Sequence, residues 1–149
     1  MTAVPGRMDC VVDASVGIKL FLVEPLSDRA DLLFSGLTDP LPAKLHVPDL
    51  FVIECTNTLW KYVRRFGYSP SAAQQDIVEL VQLPLHIAST ASVAEDALTL
   101  AIAHEITAYD AAYVALSERL SLPLVTADER LVRRLAGTGP DVRFLGDWP

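Results

Sequence analysis

Short, fully apolar runs alternate along this chain with longer segments whose apolar residues recur every three or four positions. The first run, Met8-Asp-Cys-Val-Val-Asp13, is apolar on both faces, which predicts a strand inside a parallel sheet. Helical spacing follows from Val16 to Val23, and again from Ser27 to Leu37, with Ser27 as the expected cap. Leu45-His-Val47 predicts a second strand, and Pro48-Asp49 opens a long helix that Gly67 ends. Ser69-Pro70-Ser71 starts a helix over 72–82. Leu83 to Ala88 predicts a strand that Pro84 assigns to its beginning or to a sheet edge.

Ser92 to His104 carries a stripe of Ala94, Ala97, Leu98, Ala101 and Ile102 that is expected to pack. Thr107-Ala-Tyr-Asp110 has the hydroxyl-then-acid spacing of a helix start, and that helix runs to Leu120. A strand over 121–126, a helix over 128–135 and a strand over 142–145 complete the pattern. Strands alternating with helices predict a three-layer α/β/α sandwich with a mainly parallel sheet. Residues 8–149 are expected to form one domain, preceded by a loose leader over 1–7.

Composition narrows the chemistry. The 149 residues are 51% hydrophobic and 21% charged, with a mean hydropathy of +0.32, which excludes a disordered chain. The net charge of −7 argues against a general electrostatic grip on nucleic acid, so any such contact must be local or assisted by cations. Cys10 and Cys55 lie in apolar runs and form no Cys-x-x-Cys pair, so both are expected as buried free thiols. The N-terminus lacks the apolar centre of a signal peptide, and no apolar run reaches the roughly 18 residues of a membrane span. A soluble, cytoplasmic protein without a membrane partner is therefore expected.

Four carboxylates hold unusual positions. Asp13 ends the first strand, Asp128 follows the strand over 121–126 by two residues, and Asp110 lies in a first helical turn. All three belong at the carboxyl edge of the sheet, where open α/β folds place their sites. Glu54 lies one turn inside the long helix, on a face shared with Asn57, Thr58 and Lys61. Singly, Asp13, Asp110 and Asp128 could each be a helix-capping acid, and the Glu54 stripe could be a solvated face. Together they would repel one another unless a cation neutralised them, and an oxygen-only set favours Mg²⁺ or Mn²⁺. His46, His86 and His104 are far apart in sequence and form no ligand pair; Trp60 and Trp148 are expected to pack. The arginines at 64–65 and at 130, 133 and 134 are read as solvated helix ends, with Arg130 a candidate contact to a phosphate if it follows Asp128 into the crevice mouth.

Val11-Val-Asp13-Ala-Ser15-Val16, Glu54-Cys-Thr-Asn57-Thr-Leu59, Thr107-Ala-Tyr-Asp110-Ala-Ala-Tyr-Val-Ala-Leu116 and Leu124-Val-Thr126-Ala-Asp128-Glu-Arg-Leu131 closely resemble the signatures of PIN domains. The likeness is strongest to VapC-type toxins of bacterial type II toxin–antitoxin systems and spans nearly the whole chain. That resemblance implies that Asp13, Glu54, Asp110 and Asp128 hold Mg²⁺, with Mn²⁺ as a substitute. It assigns supporting polar roles to Ser15, Asn57 and Thr126.

The function implied is a Mg²⁺-dependent endoribonuclease, hydrolysing RNA to a 5′ phosphate and a 3′ hydroxyl. Asp13 and Asp110 would be the principal ligands, with Glu54 and Asp128 in a secondary role. The implied partners are the RNA substrate, a small VapB-like antitoxin that blocks the crevice, and a second copy in a homodimer. Phosphotransfer domains with an aspartyl nucleophile share the acid after the first strand. The dehalogenase type, however, needs a second Asp where Ser15 stands. The non-enzymatic alternative is a catalytically silent PIN-like scaffold that binds RNA or protein. The full acidic quartet argues against that.

Overall fold

A computed structural model describes residues 8–149; the expected leader over 1–7 lies outside them. Five parallel strands, β1 (Cys10–Val12), β2 (Leu45–Pro48), β3 (His86–Ala88), β4 (Leu124–Thr126) and β5 (Val142–Phe144), form one sheet in the order β3-β2-β1-β4-β5. The helices among the described residues are α1 (Ala14–Gly17), α2 (Ser27–Ser35), α3 (Leu50–Phe66), α4 (Pro70–Gln82), α5 (Ala94–His104), α6 (Ala108–Leu120) and α7 (Glu129–Leu135). The architecture is the three-layer α/β/α fold.

β1 is central because it has no polar face to offer water. Cys10, Val11 and Val12 are fully buried, and the strand pairs with both β2 and β4 (Val11 opposite His46 and Leu124). Its neighbours run outward to β3 and β5, which form the edges. Pro84 precedes the edge strand β3, where its missing N–H leaves no ladder bond unmade. The strand order reverses direction at β1, between β2 and β4, and the crevice of such a sheet opens there, beyond the carboxyl ends.

The first helix departs from the periodicity reading. The chain turns helical immediately after Asp13, whose carbonyl accepts from the N–H groups of Val16 and Gly17 (3.0 and 3.3 Å). It tightens into a 3₁₀ turn at Ile18–Leu20 instead of continuing to Val23, which is fully exposed. Close packing accompanies this geometry: a Cβ on Gly17 would lie 2.5 Å from the Phe51 ring. Ser27 does not cap α2 through its first free N–H groups. Its hydroxyl instead accepts from Glu24 N–H (2.9 Å) and donates to the Leu22 carbonyl (3.1 Å), folding the preceding loop back.

Several local signals are read correctly. Ser69 accepts from Ala72 N–H (3.2 Å) with Pro70 in the first turn of α4, and Gly67 terminates α3 at φ +67°. Thr107 accepts from Asp110 N–H (3.1 Å) at the start of α6. The packing stripe of α5 is shifted from the expected one. Ala97 is buried under α6 together with Val93, Ala111, Ala112 and Ala115, while Leu98 and Ile102 are 59% and 72% exposed. α6 is buried on all sides over its middle, from Ala111 to Ser117, so it lies between the sheet and α5 and fixes both.

Candidate active site

The ends of β1 and β4 are stitched together by side chains. Asp13 Oδ2 accepts from the hydroxyls of Ser15 and Thr126, both at 2.7 Å. Ser15 Oγ in turn accepts from Ala127 N–H (3.0 Å), and Thr126 Oγ1 accepts from Asp128 N–H (3.0 Å). The start of α1 and the segment 126–128, more than a hundred positions apart, are thereby locked around one carboxylate, and Thr126 is completely buried. Burial raises the Asp13 pKa; the bonds from Ser15, Thr126 and the Ala14 backbone oppose that rise, and the charge of Asp128 adds to it.

An open cavity of about 480 Å³ lies over this edge, lined by Asp13, Ser15, Glu54, Asn57, Asp110 and Asp128 among others. All four acids singled out in the sequence therefore reach one space, from four different elements. The stripe Glu54, Asn57, Thr58 and Lys61 on α3 faces the cavity and is not simply a solvated surface. Asp110 is half-buried in the first turn of α6; burial raises its pKa to about 6, and the charges of Asp13 and Asp128 reinforce the rise. Asp128 has two attachments. Its Oδ1 accepts from Arg130 and Leu131 N–H (3.0 and 3.2 Å), so it also caps α7, as a lone acid at that position would.

Glu54 is held by a residue that the sequence reading does not single out. Tyr113, 1% exposed on α6, donates its hydroxyl to Glu54 Oε1 at 2.7 Å. Burial raises the Glu54 pKa to about 7; the Tyr113 bond opposes the rise, and Asp13 and Asp110 add to it. Its place three residues after Asp110, on the same helix face, was the signal available for it. Glu24 and Lys19 also line the cavity. Lys19 Nζ lies 3.2 Å from Glu24 Oε1, and Tyr62 donates to Glu24 Oε2 at 2.8 Å. Glu24 stands in a loop without periodicity, so nothing in the pattern marks it.

The donor set suits a hard divalent cation: several carboxylate oxygens, no thiolate or imidazole, and burial reinforced by mutual repulsion that raises the pKa of Asp13, Glu54 and Asp110 and that a bound cation would relieve. Among the described residues, no three His, Cys, Asp or Glu side chains are already drawn together around one ion position. Hydrogen bonds to Ser15, Thr126, Tyr113 and the α7 backbone engage one oxygen of Asp13, Glu54 and Asp128 each.

Three other candidates need correction or placement. His46 and His86, remote in sequence, are register partners on β2 and β3, with ring centroids 4.9 Å apart. Only His86 is on an edge strand, and neither lines the acid cavity. Trp148 packs as expected, but Trp60 is 55% exposed, with the Arg64 guanidinium 5.4 Å from its ring centroid. Its position on α3 turns it away from the core face of Phe51, Cys55 and Leu59. Cys10 and Cys55 are buried free thiols, and no helix of the described residues is long and apolar enough to cross a membrane.

A parallel α/β sheet with carboxylates gathered over its central carboxyl edge places this chain among the open α/β folds with a site at the switch point, and the comparisons give the family. Residues 10–137 match the PIN domain model, and the chain belongs to that family. It is 37% identical over 129 residues to Ribonuclease VapC3 of Pyrobaculum aerophilum, covering 85% of this chain and 95% of that one. A crystal structure from P. aerophilum superposes with a TM-score of 0.68 at 23% identity, covering 94% and 92% of the two chains. A toxin–antitoxin complex from Klebsiella pneumoniae gives 0.64 at 18% identity, covering 92% and 98%.

Proposed function

We propose that this protein is a divalent-metal-dependent endoribonuclease and the toxin of a toxin–antitoxin pair. The observation that carries the reading is the convergence of Asp13, Glu54, Asp110 and Asp128 on one open cavity, in a chain whose 37% identical relative is named a ribonuclease. Asp13 and Asp110 are the proposed principal ligands of Mg²⁺ or Mn²⁺, with Glu54 and Asp128 completing the set. A bound cation would supply charge neutralisation and Lewis-acid assistance to phosphodiester hydrolysis.

The chain's own residues perform the positioning. Ser15 and Thr126 fix the Asp13 carboxylate from two sides, and Tyr113 fixes Glu54. Asp110 and Asp128 are oriented by the helix starts that they occupy. Asn57, on the cavity face of α3, is placed to hydrogen-bond the substrate. A small VapB-like antitoxin is the proposed inhibitor, in keeping with the fold shared with a toxin–antitoxin complex. A second copy of this chain is the proposed occupant of the apolar face formed by Ile53, Trp60 and Tyr109, which adjoins the catalytic cavity through Glu54 and Asn57. The buried free thiols suit the reducing cytoplasm.

The test is incubation of total RNA with purified protein and Mg²⁺ or Mn²⁺, with EDTA and Asp13→Asn as controls. Discrete fragments that vanish in both controls are expected. Folded, metal-loaded, antitoxin-free protein that cuts nothing would favour a binding scaffold instead.

A further inference from the structure

The protein carries a net charge of −7, so its general field repels RNA, and a nuclease built this way needs its cations placed where the strand passes. They are placed there. The acid cavity includes Lys19 and Lys61. A second cavity of about 820 Å³ shares Asp110 and Asp128 with it and is lined by Arg130, Arg133 and Arg134 of α7. Five of the chain's twelve Lys and Arg residues thus border two connected spaces.

The two groups are built differently. The Lys19 side chain is only 10% exposed and is anchored by Glu24, itself gripped by Tyr62. An ammonium has three donors, so this fixed cation retains donors for a ligand in the cavity. The arginines are exposed and weakly paired: Arg133 lies 3.9 Å from Glu129, and Arg134 lies 3.9 Å from the Glu105 carboxylate and donates to the Glu105 carbonyl at 3.3 Å. Exposed pairs of this kind contribute at most about 1 kcal/mol, so a phosphate, with its bidentate fit to guanidinium, can displace them.

We infer that single-stranded RNA crosses the acidic cavity along a defined track, with one phosphate held by Lys19 and the neighbouring phosphates beyond Asp110 and Asp128 held by Arg130, Arg133 and Arg134. The acids then lie beneath the phosphate between these two stations. This inference rests on the ribonuclease reading for the phosphate that is cut, but not for the binding itself. The contacts are to backbone and not to bases, so the track sets position and affinity while sequence preference must come from elsewhere.

The test uses labelled polyuridylate and the Asp13→Asn protein in Mg²⁺, with fluorescence anisotropy across a salt series. Each phosphate contact to a single strand contributes about 0.7 to the slope of log affinity against log salt. The combined Arg130→Gln, Arg133→Gln, Arg134→Gln variant should lower that slope by about two, and Lys19→Gln by about 0.7. The arginines are exposed, so the triple variant keeps its fold, verified by its melting curve. In the wild-type background the same triple change should raise KM on RNA more than it lowers kcat. An unchanged slope for the triple variant or for Lys19→Gln overturns the track. Wild-type protein that shows the predicted slopes but cuts no RNA would sink the nuclease reading and leave the track standing.

Discussion

Asp13 stabilises nothing by being charged; its charge is a burden that the site is built to carry. The carboxylate is 7% exposed, and burial outweighs its hydrogen bonds in setting a raised pKa. Asp13→Asn removes the charge and keeps two of the three bonds, because one amide oxygen has two lone pairs and can still accept from both Ser15 and Thr126, whereas the bond from the Ala14 backbone loses its acceptor. The opposing magnitudes are several kcal/mol for desolvating an ion and about 1.5–3 kcal/mol for each hydrogen bond to a charged group. Since burial wins, the expected net gain for metal-free Asp13→Asn at pH 8 is about 1–2 kcal/mol, or about 2–8 °C in Tm for a chain of this size. Asp110 and Glu54 also each lose a repelling neighbour.

The pH dependence follows from the sign of the shifts. Glu54 and Asp110 titrate at about 7 and about 6 in the folded chain, above their unfolded values of 4.5 and 3.8, and Asp13 is raised as well. Between those limits the folded state binds more protons than the unfolded one, so stability falls as pH rises from about 4 to about 7. Urea unfolding in EDTA at both ends of that window is the assay. The advantage of Asp13→Asn should be present at pH 8 and shrink toward pH 4, because the raised pKa of Asp13 lets the folded state take up its proton as pH falls. An Asn variant equally or less stable than wild type at pH 8 would refute the argument. Such a gain at the expense of activity is the usual trade-off at a functional site.

Saturating Mn²⁺ should reverse that order: an ion at about 100 times its Kd adds about 2.7 kcal/mol to wild type, and EDTA should remove the gain. Tyr113→Phe keeps the core volume but frees Glu54 Oε1. Loss of that bond raises the Glu54 pKa further, so the acid limb of the pH–activity profile should move to higher pH, with activity down about 10–100-fold. Gly17→Ala places a methyl 2.5 Å from the Phe51 ring and should lower the urea midpoint by an amount worth about 1–3 kcal/mol. Ile53→Asp, at an exposed apolar position, should leave a monomer in light scattering where wild type forms the proposed dimer, with an unchanged circular dichroism spectrum; a variant of the same mass as wild type would count against that face.

Much of the framework was legible in the chain because its signals are local. An apolar run with no polar face has to be central, and β1 is. A hydroxyl three residues before an acid reads as a helix start, as at Thr107 and Asp110, and an acid just beyond a strand end is carried to the carboxyl edge of a parallel sheet. These features rest on backbone geometry within a few residues, so the sequence by itself determined the parallel sheet, the succession of helices and strands, and three acids at one edge; Glu54 joined them only through the family resemblance. What only the tertiary structure decided depends on partners far along the chain. Tyr113 reaches Glu54 across 59 positions and Thr126 reaches Asp13 across 113. Periodicity also cannot tell which side of an amphipathic helix another element will cover, so the α5 stripe was misplaced onto Leu98 and Ile102. Lys19, Glu24 and Tyr62 meet where a 3₁₀ turn, a loop and a helix converge. No single segment encodes that meeting, because it arises from the way α1 is drawn against α3 at Gly17 and Phe51.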